Sequence, residues 1–188
     1  MFALIARQER VVIVVLTLLM AATRIEHFGK LAPDASTAIF FLLGLLIANP
    51  LWLLAFLVEA IALDTAATKI VGVDSICVTL GYCMMIPAYF SLWLAPRLLR
   101  ENFKVDFLNF LKLTFACICG VAGFFLLSNI GYYVGIGFYT TVGFFEYASR
   151  VARYFPYYLT VTLLYVTVGV ALAVLTFRFG ARGSVAAR

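Results

Sequence analysis

The chain has 188 residues, 65% of them hydrophobic and 12% charged, with a mean hydropathy of +1.07. So few charges cannot solvate so much apolar surface. That excludes an ordinary soluble domain, and membrane spans of about 20 residues each would use nearly the whole chain and leave no room for a soluble catalytic domain.

The predicted elements are six transmembrane helices in one membrane domain, 1–188. The first, about 9–25, ends at Arg24-Ile25-Glu26-His27 and is read as a retained helix, because no small-residue cleavage site follows its apolar run. Pro33 and Asp34 open the second, about 34–48. Asn49 caps the third, about 50–67, with Pro50 at its first position. The fourth, about 74–98, contains Pro87 and is expected to kink there, because proline removes a backbone donor. A charged turn from Arg97 to Asp106 leads to the fifth, about 106–129. The sixth, about 156–178, starts at Pro156. Between the last two lies a connection, 130–155, and seven of the ten tyrosines fall in 132–158. Residues 142–155 are expected to form a short interfacial helix, for which an aromatic belt is at least as good a reading as a ligand wall.

Six spans place both termini on one side. That side carries eight basic residues (Arg7, Arg10, Arg97, Arg100, Lys104, Arg178, Arg182, Arg188) against five on the other (Arg24, Lys30, Lys69, Arg150, Arg153). The bias puts the termini in the cytoplasm. The same bias and anionic lipid account for the net charge of +5, so nucleic acid is not an expected partner. His27, Asp34, Asp64, Asp74, Cys77, Tyr82, Glu146, Arg150 and Arg153 then gather at the outer face. Mid-span Glu59 is expected to pair with Lys112 at similar depth, since intramembrane charges are usually paired.

No Ser/His/Asp set, HExxH or GxxxxGK[ST] occurs, and no acid/base pair suggests an enzyme. Cys83, Cys117 and Cys119 fall in apolar stretches and read as small hydrophobic residues. Gly131 to Gly135 is a G-x-x-x-G at a helix end, a common pattern. Cys77 follows Asp74 by less than a turn, with Asp64 across a short loop and Tyr82 beyond. A buried small residue is its bland reading. A bare ion would need three or four protein ligands, and no second Cys or His has the spacing. A single thiolate suffices for a metal already held in a macrocycle, such as haem or cobalamin. His27 could be a second axial ligand, a hydrogen-bond donor to that ligand, or an interface residue; the last is the default.

Pro33-Asp34-Ala35-Ser36-Thr37, Asp64, Val73-Asp74-Ser75-Ile76-Cys77, Gly81-Tyr82 and Arg150 together resemble the substrate-binding S-components of energy-coupling-factor vitamin transporters. More narrowly, the chain is similar to the solitary cobalamin-specific members, the BtuM family, over nearly its full length. The resemblance implies a six-helix bundle in the bacterial inner membrane, taking up cobalamin as bound substrate from a periplasmic donor. It implies Cys77 as the axial cobalt ligand, with Asp64, Tyr82 and Arg150 lining the pocket; His27 and Asp34 are further candidate ligand-binding residues from their place at the outer face. Loss of an upper cyanide ligand is a plausible accompanying reaction. Family members that dock on the shared motor module carry a small-xxx-small face on helix 1, commonly Ala-x-x-x-Ala; here only Thr17-x-x-x-Ala21 is offered, so the solitary reading fits better. The rivals are an S-component for another vitamin, a membrane enzyme acting on a lipid or haem, and a structural subunit of a larger complex.

Overall fold

The computed structural model describes residues 2–26, 33–71, 80–100, 106–135 and 137–186. These residues are all-helical, with no strand among them. Seven α-helices occur among them in chain order: α1 Phe2–Glu26, α2 Ser36–Leu46, α3 Leu51–Val71, α4 Met85–Arg97, α5 Phe107–Gly135, α6 Phe144–Ala152 and α7 Phe155–Ala186. A 3-10 turn, Leu80–Met84, precedes α4, and another, Phe138–Thr140, precedes α6.

Polar side chains start three of these helices, where the first backbone N–H groups have no partner within the helix. Asp34 Oδ1 accepts from the Ser36 N–H and hydroxyl, Asn49 Oδ1 from the Leu51 N–H, and Asp106 Oδ1 from the Asn109 N–H. The expected Asn49-Pro50 start of α3 is therefore present. Proline acts differently from expectation in α4. Pro87 falls in the first turn, where a missing N–H costs little, and the described part of the predicted span is a 3-10 turn running into an α-helix.

Among the described residues, three helices are long and apolar enough to cross a membrane: Leu51–Lys69, Phe107–Gly135 and Phe155–Leu175. Their exposed sides are apolar, including Leu54 and Val58 on α3, Phe115 and Leu126 on α5, and Leu164 and Leu172 on α7. The core is built around α2. Every residue of α2 is buried, as expected of a helix that is apolar all round. It packs chiefly on α4 and α7, with α1 and α3 beside it. Its closest approach is at Gly44, where a Cβ would lie 2.0 Å from the Trp93 carbonyl oxygen on α4.

Three helices outrun their predicted ends, and α3 runs to Val71, past the predicted 67, so that Asp64 lies inside it. α5 continues to Gly135 because Gly131 and Gly135 face Gly81 of the 3-10 turn; a Cβ on Gly81 would sit 2.1 Å from the Gly131 carbonyl oxygen. The G-x-x-x-G pattern is thus a packing surface that lets backbones meet. α7 runs to Ala186, beyond the predicted 178. The expected interfacial helix is the short α6.

The expected Glu59–Lys112 ion pair does not form. α3 packs on α1 and α2, whereas α5 packs on α4 and α7, so α2 and α4 stand between the two charges. Glu59 is half-buried on α3, and Lys112 is exposed on α5.

Candidate functional site

One end of the bundle holds a buried polar network centred on Arg24, in the last turn of α1. Arg24 is only 7% exposed. Its Nε and Nη2 donate to the two carboxylate oxygens of Asp64 on α3, each at 2.6 Å. That bidentate geometry is the strong form of an arginine–carboxylate contact. Nη1 donates to Ser36 Oγ at 2.8 Å and to the Tyr89 hydroxyl oxygen at 2.9 Å, and lies 3.8 Å from Asp34 Oδ2. The Tyr82 hydroxyl donates to Asp64 Oδ2 at 2.6 Å. One guanidinium therefore gathers α1, the start of α2, α3, the 3-10 turn and α4. Among the described residues no buried side-chain nitrogen or oxygen lacks a hydrogen-bond partner, which is the condition for a buried charge to be tolerated.

Tyr89 links this network to a cleft. Its ring stacks on Phe40, with centroids 4.1 Å apart, and contacts Phe124 at 5.2 Å. Phe124 lines a cleft of about 480 Å³ between α4, α5, α6 and α7, with Tyr132, Tyr147, Tyr154 and Tyr158 on its walls and Arg150 and Arg153 among its lining residues. α6 is held over α5 by two hydroxyls: Tyr147 donates to Asn129, and Tyr133 donates to the Val142 carbonyl. Burial, with Tyr132 nearby, pushes the Tyr147 hydroxyl above its ordinary pKa.

Three of the residues singled out in the sequence, Asp34, Asp64 and Tyr82, come together around Arg24. Arg150 does not join them. It lies on exposed α6, paired with Glu146 one turn earlier, in the aromatic cleft. Arg153 lies over the Tyr154 ring, its Cζ 5.0 Å from the centroid. His27, Asp74 and Cys77 lie outside the described residues. The sequence reading missed Arg24 and Tyr89. In the sequence Arg24 enters only the charge bias; the available signal is an arginine closing an apolar helix at the end that also holds Asp34 and Asp64.

No protein-family model matches this sequence, and no curated protein matches it.

The arrangement provides a preorganised polar cluster behind an open, aromatic, arginine-bearing cleft. Clefts of this size with a few convergent polar groups are the usual form of a small-molecule site.

Proposed function

We propose that the chain is a multi-pass protein of the bacterial inner membrane that binds cobalamin at its outer face for uptake, with Cys77 as an axial ligand to the cobalt. In this reading α1, α2, α3, α4 with its 3-10 turn, α5 and α7 are the six crossing segments, and both termini are cytoplasmic. The observation that carries it is the hydrogen bond from Tyr82 to Asp64. These two residues bracket the stretch of sequence that contains Cys77, and Arg24 fixes Asp64 in turn. A single ligand to a macrocycle-held metal needs such anchorage, because the protein supplies only one bond to the cobalt.

Asp64 has both oxygens engaged by Arg24 and Tyr82, so its role here is to hold the site and not to touch the vitamin. The aromatic cleft supplies the ligand surface. At about 480 Å³ it is smaller than a whole corrinoid, so it receives one edge of the molecule. Tyrosine rings suit the apolar flank of that edge, and Arg150 and Arg153 suit its phosphate. A thiolate on cobalt donates electron density, so departure of an upper cyanide accompanies binding without making the protein an enzyme.

The test is the visible absorption spectrum of purified protein with added cyanocobalamin, for wild type and Cys77→Ala. A shifted spectrum that disappears in Cys77→Ala is the expected result. Retained binding with an unshifted spectrum would reduce Cys77 to packing, and absence of binding would overturn the cobalamin reading.

A further inference from the structure

Two charges within apolar helices have no ion-pair partner among the described residues. The ion pairs there join Arg24 to Asp34 and Asp64, and Arg150 to Glu146. Glu59 is half-buried on α3. Lys112 is exposed on α5. Arg97, at the end of α4, donates to the carbonyls of Ile47 and Ala48, just before α3. The starts of α3 and α5 therefore lie at the same end of the bundle. At 1.5 Å per residue, Glu59 lies about 12 Å into α3 and Lys112 about 8 Å into α5, a difference of less than one helical turn.

The surfaces around the two charges also complement each other. Ala55 and Ala62 leave the α3 surface shallow on either side of Glu59. Leu111 and Phe115 stand out beside Lys112, 55% and 67% exposed. Small residues opposite large ones allow close helix packing where lipid gives no hydrophobic drive to associate.

We propose that a second copy of this chain docks its α5 on α3, so that Lys112 of one copy pairs with Glu59 of the next inside the apolar layer. The inference rests on α3 and α5 lying in a membrane, where charges inside a span are usually paired. The two surfaces are different, so the contact is head-to-tail and each copy uses both of them in an assembly.

The experiment is a charge swap read by cross-linking in native membranes and by particle mass in mild detergent. Wild type is expected to give assemblies larger than a monomer. Glu59→Lys alone and Lys112→Glu alone are expected to give monomers. Co-expressed with different tags, those two variants should co-purify, because the exchanged charges meet again with opposite signs; the double variant in one chain should also assemble. Because rescue requires both variants to fold, its absence counts against the proposal, as does a monomeric wild type or single variants that assemble like wild type. A monomer that still gave the Cys77-dependent cobalamin shift would sink the assembly and leave the proposed function standing.

Discussion

Among the described residues Arg24 carries more of this end of the molecule than any other side chain, because Asp64, Ser36, Tyr89 and Asp34 all converge on it while it is 7% exposed. Removing one partner of such a pair strands the other charge away from water, at about 3–5 kcal/mol. Arg24→Met should therefore lower stability by that amount, read as a fall in the thermal unfolding midpoint in detergent. Arg24→Met with Asp64→Leu should recover part of the loss, since that pair then leaves no charge stranded. Additive losses in the double variant would mean that the pair is not coupled. Asp34 was legible in the sequence because it opens a helix, and Asp64 because a carboxylate is unusual in so apolar a run, although α3 continues about two turns beyond it. Arg24 and Tyr89 were not, because their significance lies in long-range contacts, 40 and 65 residues apart along the chain. No local pattern encodes those.

At the scale of elements, the helices were legible and several of their ends were not. Apolar runs set where helices form, and Asn49-Pro50 fixed one boundary, but Asn129 reads as the end of α5 although the helix runs on through it and Gly131 to Gly135. Their weak helix propensity is overridden by packing: Gly131 and Gly135 meet Gly81, and Asn129 bonds the Phe125 carbonyl one turn back. The same logic ranks glycine substitutions by what the added methyl would meet. At Gly44 it would meet the Trp93 backbone, which cannot swing away. Gly44→Ala should thus force α2 and α4 apart and cost at least about 1–3 kcal/mol of stability. At Gly169 the methyl meets the tip of the Leu42 side chain, 2.6 Å away, which can change rotamer. Gly169→Ala also gains helix propensity of about 1 kcal/mol, so its net effect should be near zero. Thermal unfolding of the two variants side by side decides it: equal losses would show that helix spacing at Gly44 is not the constraint.

For the whole molecule, the question is how an 11-residue helix belongs to a membrane bundle at all. At 1.5 Å per residue α2 is about 16 Å long, roughly half of a hydrocarbon core of about 30 Å. A helix facing lipid could not be that short without leaving backbone groups unpaired in hydrocarbon. α2 faces no lipid, because every residue in it is buried by its neighbours. Its ends are completed by protein groups: Asp34 at the start, and Arg97 donating to the Ile47 and Ala48 carbonyls at the finish. A short α2 is therefore compatible with a crossing segment, and the count of six depends on it. If α2 crosses, both termini and the turn after α4 lie on the cytoplasmic side, with the turn before α6 outside. Paired reporter fusions, one active only in the cytoplasm and one only outside, should report the cytoplasm after residue 100 and after the C-terminus, and the outside after residue 140. A C-terminal reporter on the opposite side from the N-terminus would mean an odd number of crossings. The shortest helix would then be the first to leave the count, and the outer-face placement of the Arg24 network would fail with it.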